Sequence, residues 1–144
     1  MDRITQAVEK CEKYRKSGYA CSESVFRALA DIYHLKLSLD AYRIISVFAG
    51  GGVDDGRCGV LEAGLFVIAI LYKEEKLSQG ISLEQLSLQL HQKFIDSYGG
   101  YNCRDIFYPL YEEHKCLLNE DDEFSCAFLD GITIISTFIE SKLR

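Results

Sequence analysis

From Cys58 to Glu75 the chain is apolar on nearly every side of a helical wheel, and this segment limits the possible folds more than any other. Its uninterrupted apolar run, Ala63 to Tyr72 with Gly64 included, is about half the ~20 residues needed to cross a bilayer. Glu62 precedes the run and Lys73-Glu74-Glu75 follows it, so it reads as a buried central helix that other elements must wrap. The 144 residues are 48% hydrophobic and 26% charged, close to the globular average and enough for one sizeable core. With one proline, the chain lacks the punctuation of a turn-rich β-sandwich. The expected fold is all-α: a compact bundle of about six or seven helices around the helix at 58–75, forming a single helical domain over 1–144.

The flanking segments carry the pattern such a core requires. Ile4, Ala7, Val8, Cys11 and Tyr14 recur at steps of three and four between Arg3 and Lys16, with Ser17-Gly18 as the stop. Ser22 is read as the N-cap of a second helix that carries Val25, Leu29, Ile32 and Tyr33 and ends near His34 to Lys36. Ser38 or Asp40 caps a short third helix, which Gly50-Gly51-Gly52 breaks. That glycine run reads as a hinge or a tight packing turn in a flexible loop over 50–56, because it lacks the Gly-Lys-Ser/Thr ending of a phosphate loop. A capping box opens Ser82 to Tyr98, and Gly99-Gly100 closes it. A helix from Cys103 to about His114 is interrupted at Pro109, and Asn119 to Glu123 forms an acidic turn. The last helix runs from about Phe124 to Leu143, a strand at Gly131 to Ser136 having no partner.

Charge narrows the function classes. Sixteen Lys and Arg against 22 Asp and Glu leave a net charge of −6, which repels nucleic acid where no basic patch overrides it. The N-terminal residues Met1-Asp2-Arg3 lack a secretory h-region, so a cytoplasmic protein that is not membrane-embedded is expected. Six cysteines is a large number for a reducing compartment; the thiols should be free, metal-bound or redox-active.

Four of the six share a context. Cys21, Cys58, Cys103 and Cys126 each fall at or within the first turn of a predicted helix, and three of them follow a glycine by two to four residues. Unsatisfied N–H groups and the dipole at a helix start favour the thiolate, the form that attacks disulfides and binds metal. Cys58, next to Arg57 and Gly59, is expected to react first. Cys11 reads as a core residue and Cys116 as lying outside the cluster. Spacings of 37, 45 and 23 residues (58 − 21, 103 − 58, 126 − 103) match no zinc ribbon or ferredoxin. Glu62 is either a base for a thiol or a carboxylate settled at a helix start. His34, His91 and His114 are scattered and receive no role.

These residues resemble the C-GCAxxG-C-C family, described as redox-active. The resemblance rests on Gly18-Tyr19-Ala20-Cys21-Ser22-Glu23-Ser24-Val25, Gly56-Arg57-Cys58-Gly59, Tyr98-Gly99-Gly100-Tyr101-Asn102-Cys103-Arg104-Asp105 and Cys126, and it spans nearly the whole chain. Carried over residue by residue, the family's four cysteines fall on Cys21, Cys58, Cys103 and Cys126. In the Cys-Gly-Ala-x-x-Gly motif Cys58 and Gly59 match, whereas Val60 stands for Ala and Ala63 for Gly. The resemblance implies a redox role, as an oxidoreductase or electron-transfer protein. Cys21, Cys58, Cys103 and Cys126 then converge as a dithiol/disulfide couple or as ligands of an iron-sulfur cluster or other thiolate-bound metal. The alternative is a helical interaction or structural domain with packed or zinc-binding cysteines. A hydrolase using cysteine as its nucleophile ranks last for want of a histidine partner. The expected partners are a redox partner protein or membrane transporter, with a homodimer as the other arrangement open to a chain of nine Tyr and eight Phe.

Overall fold

The computed structural model describes residues 1–49, Gly52, 56–106 and 125–144, with backbone alone for 125–129. Among these residues the chain forms α1 (Arg3–Lys16), α2 (Cys21–Ile32), α3 (Leu39–Ile45), a 3-10 turn (Ser46–Phe48), α4 (Gly59–Lys73), α5 (Leu83–Tyr98) and α6 (Ser125–Lys142). A further helical turn begins at Cys103. The all-α expectation holds: the described residues contain no strand, and the isolated bridges Arg57↔Asn102 and Leu77↔Leu143 are their β pairings. The hinge reading of Gly50 to Gly56, the interruption at Pro109 and the acidic turn at 119–123 concern residues that lie wholly or mostly outside the described set.

Local chemistry sets the helix ends. The Asp2 carboxylate accepts from the Thr5 N–H at 2.9 Å and starts α1. Ser82 and Gln85 exchange bonds reciprocally and start α5. Gly18, at φ +99°, and Gly99, at φ +82°, leave α1 and α5 through the left-handed region, where a side chain is strained. One cap departs from expectation. Helix α2 begins at Cys21 after Ala20, and Ser22 is buried with its hydroxyl donating to the Ile45 carbonyl at 2.9 Å. Ser22 therefore ties α2 to the end of α3 instead of capping its own helix.

Helix α4 is the hub and packs on α2, α5 and α6, while α1 lies across α2 and α6. No residue of α4 from Gly59 to Tyr72 is exposed, as the apolar composition demands. Leu61, Ile68 and Leu71 meet Leu29, Leu86, Leu90, Phe94, Ile132 and Ile135 in one core, each side chain contributing about 1.5–3 kcal/mol by burial. Two glycines let α4 and α6 approach closely. A Cβ on Gly64 would lie 2.8 Å from Ile135, and one on Gly131 would lie 2.6 Å from Val60 Cγ1.

Candidate functional site

Three of the predicted cysteines stand at helix starts. Cys21 is the first residue of α2, Cys58 is the N-cap of α4, and Cys103 opens the helical turn after Asn102. The Asp105 carboxylate reaches back to the Asn102 N–H at 3.2 Å and so caps that turn.

Backbone pairing holds Cys58 and Cys103 together. The Cys58 N–H donates to the Tyr101 carbonyl at 2.9 Å, and the Cys103 N–H to the Gly56 carbonyl at 2.7 Å. These bonds flank the antiparallel bridge Arg57↔Asn102. Side chains alternate across such a ladder, so Cys58 and Cys103 share one face and Arg57 and Asn102 the other. Gly59 brings in the segment that carries Cys21. A Cβ there would lie 2.4 Å from the Phe48 carbonyl oxygen and 2.9 Å from Ser22 Cβ, so only glycine lets the first turn of α4 rest on the residue next to Cys21.

The thiols differ in exposure and acidity. Cys58 is 7% exposed, whereas Cys21 and Cys103 are half-buried. Burial pushes the Cys58 thiol up to about 12; the Leu61 and Val60 N–H groups pull the other way, and the Cys21 and Cys103 sulfurs add to the rise. The expectation of a lowered Cys58 pKa is thus corrected: the first-turn N–H groups are present, but desolvation outweighs them. Cys11 is fully buried in α1, as expected, and burial followed by the Cys21 charge drives its thiol to about 12. The buried Tyr98 hydroxyl, at the end of α5, has no hydrogen-bond partner among the described residues. Its pKa is raised by burial, then by Asp130 and Cys58.

Cys126 is the second residue of α6; its side chain, like the whole of Cys116, lies outside the described residues. Among the described residues no group of three or more His, Cys, Asp or Glu is arranged to hold a metal ion. Cys21, Cys58 and Cys103 thus stand on adjoining backbone segments, and among the described residues they form no three-ligand set.

A polar strap crosses the other face of the bridge. Arg57 Nε pairs with Glu62 Oε1, and Arg57 Nη2 lies 2.6 Å from His91 Nε2. His91 Nδ1 lies 2.7 Å from the Ser87 carbonyl oxygen. Arginine can only donate, so Nε2 accepts, and the ring carries its proton on Nδ1 towards Ser87. The Tyr101 ring stands edge-on to His91 at 5.3 Å and lies 5.2 Å from the Arg57 guanidinium. Glu62 therefore pairs with Arg57, and it also stands in the first turn of α4, the helix-start position read from the sequence. His91 was missed because its partners Arg57 and Tyr101 come from the loops at 57 and 101, which no one-dimensional pattern links to α5.

A family model described as "Putative redox-active protein (C_GCAxxG_C_C)" matches residues 19–130. The chain belongs to this family. No curated protein and no solved structure matches it. The matched span includes Cys21, Cys58, Cys103, Cys126 and the Arg57 strap, and leaves Cys11 outside. Its departure at Val60 has a structural counterpart, since the larger side chain is received at Gly131 of α6. No described helix is long and apolar enough to cross a membrane.

Proposed function

We propose that this member of the redox-active family is a thiol oxidoreductase that cycles between dithiol and disulfide, with Cys103 and Cys58 as the exchanging pair. The observation that carries the reading is the bridge at 56–58 and 101–103, which puts one half-buried and one buried thiol on the same face. Cys21 stands beside them as an alternative entry thiol. Cys126 is the fourth sulfur of the proposed site, and the 144 residues act as one helical domain.

Exposure orders the steps. The Cys103 thiolate attacks one sulfur of a substrate disulfide; a protein–substrate S–S bond forms, the substrate S–S bond breaks, and the first thiol leaves with the Cys103 proton. The Cys58 thiolate then attacks the Cys103 sulfur and expels the second thiol, which takes the Cys58 proton. The protein loses two electrons and the substrate disulfide gains them. Attack by Cys58 is intramolecular, which offsets its high pKa. A redox partner protein returns the electrons, and a cytoplasmic setting, where thiols are kept reduced, supplies the resting dithiol.

The test is equilibration in dithiothreitol buffers of graded potential, acid trapping, alkylation and peptide mapping. The expected result is one two-electron transition with a bridge from Cys58 to Cys103 or Cys21. Full alkylation of all cysteines under the most oxidising buffer, or visible sulfur-to-iron absorption in anaerobically purified protein, overturns it, the second in favour of a cluster.

A further inference from the structure

We propose that the ends of α2, α4 and α6 form a binding site for a small primary amine with an apolar body, its ammonium group held between Glu75 and His34. The pocket there has a volume of about 540 Å³, within the usual range for small-molecule sites. Ile32, Tyr33, Leu71 and Leu143 line its apolar part, and His34 and Glu75 border it. It lies at the far ends of the two helices whose starts carry Cys21 and Cys58, so it is separate from the thiols and does not depend on the redox reading.

The backbone singles out this pocket. Among the described residues, four helices exit through a left-handed residue: α1 at Gly18, α5 at Gly99, α2 at His34 with φ 55°, and α4 at Glu75 with φ 60°. Glycine takes this conformation without strain, whereas a residue with a side chain does not. The two exits without glycine are the two that border the pocket. Both make the same turn: the Leu35 N–H returns to the Ala30 carbonyl at 2.9 Å, and the Lys76 N–H to the Leu71 carbonyl at 2.9 Å. Glu75 is disfavoured a second time, because its carboxylate stands at the negative end of the α4 dipole. Both side chains are exposed, and among the described residues neither has a hydrogen bond or an ion pair, so no contact within the fold accounts for them.

Charge sets the sign of the ligand. Arg3 is bidentate with Glu140 at 2.6 and 3.0 Å, and Lys76 pairs with Glu74 at 2.8 Å. Arg144 donates to the Glu75 carbonyl at 3.4 Å and so answers the end of α4. The Glu75 carboxylate is left unanswered, three helices turn the negative ends of their dipoles this way, and the whole chain carries a net charge of −6. The field therefore attracts a cation. An ammonium group has three donors, for which the Glu75 carboxylate and an imidazole nitrogen of His34 are acceptors. The apolar residues beneath take the carbon body out of water.

The test titrates reduced protein with three phenyl-bearing probes that differ in charge: 2-phenylethylammonium, 2-phenylethanol and 3-phenylpropionate. Binding is read from the His34 imidazole resonances, assigned with the variant His34→Gln. The ammonium probe should bind about three- to fivefold more tightly than the alcohol, the range of one solvent-exposed charge contact, and the carboxylate should bind most weakly. Glu75→Gln should remove the preference for ammonium over alcohol. Glu75→Gly should remove it too and at the same time raise the thermal midpoint, because glycine relieves both the left-handed turn and the clash with the dipole. A carboxylate that binds as tightly as the ammonium, a preference that survives Glu75→Gln, or no shift at His34 with any of the three overturns the proposal. So does a thermal midpoint lowered by Glu75→Gly, since Glu75 would then serve the fold rather than a ligand.

Discussion

Helices α2 and α4 use the same residue types to opposite ends. At α2, Arg27 lies between the Tyr19 and Tyr42 rings at 4.4 and 4.5 Å and pairs with Glu23 at 2.9 Å. The Arg27 and Glu23 side chains are 20% and 12% exposed. At α4, Arg57 meets one ring, Tyr101 at 5.2 Å, with Glu62 and His91 at its edges, and remains 44% exposed. A guanidinium covered on both faces is a packing element, because its charge is answered inside the fold. One covered on a single face keeps donors for a ligand. Residue type thus says little about what an arginine does; the number of faces the fold covers says more.

The comparison predicts its own largest effect at Arg27. Arg27→Met should lower stability by about 2–3 kcal/mol, since it removes two cation–π contacts and leaves the buried Glu23 carboxylate unanswered. Chemical denaturation of reduced protein measures this, and adding Glu23→Gln should restore part of the loss. A cost below about 0.5 kcal/mol would mean that the sandwich is as dispensable as an ordinary surface pair.

Much of this arrangement was legible in the sequence where local chemistry decides it. The span of α1, the capping box at Ser82 and Gln85, the left-handed exit at Gly99 and the buried run of α4 follow from periodicity and turn residues. So does the position of Cys21, Cys58 and Cys103 at helix starts. The misses are tertiary. Helix α2 stops at Ile32, short of the expected end, because His34 turns into the left-handed region at φ 55° and the Leu35 N–H closes back on the Ala30 carbonyl. No glycine or proline marks that stop. Ser22 looks like a cap until the end of α3 arrives to accept its hydroxyl. The helix-dipole argument for Cys58 identified the right N–H groups but not the depth at which the sulfur sits, and depth decides its acidity. The pairing of Val60 with Gly131 spans two helices distant in sequence, so no local rule connects the two positions.

Two thiols are also buried, Cys11 within α1 and Cys58 at the start of α4, and alkaline pH tests both. Burial raises each thiol from 9.0 to about 12. Above pH 9 the unfolded chain sheds these protons while the folded chain keeps them, so stability falls as pH rises and is fully present below that range. Tyr14, raised to about 12, adds to the fall above pH 10. Between pH 8 and 10.5 reduced protein should lose about 1–2 kcal/mol per buried thiol, read from denaturant midpoints. Cys11→Ala should be less stable at pH 8 yet show a shallower decline. A slope unchanged by that variant would place the Cys11 sulfur in contact with water.

The smallest expected effect is the one that most sharpens the contrast. Arg57→Gln should cost less than about 1 kcal/mol of stability, because a pair with one partner nearly half exposed gains little over water. The substituted glutamine amide still donates a hydrogen bond within the strap, and the Tyr101 ring keeps its edge contact with His91. Glu62, at 13% exposure, is the reason the cost is not zero: its carboxylate loses its cation but sits in the first turns of α4, where the helix dipole and water at its rim still favour the charge. The measurement is the denaturation midpoint of reduced Arg57→Gln beside that of Arg27→Met under the same conditions. Equal losses of about 2 kcal/mol would show that Arg57 is enclosed as fully as Arg27.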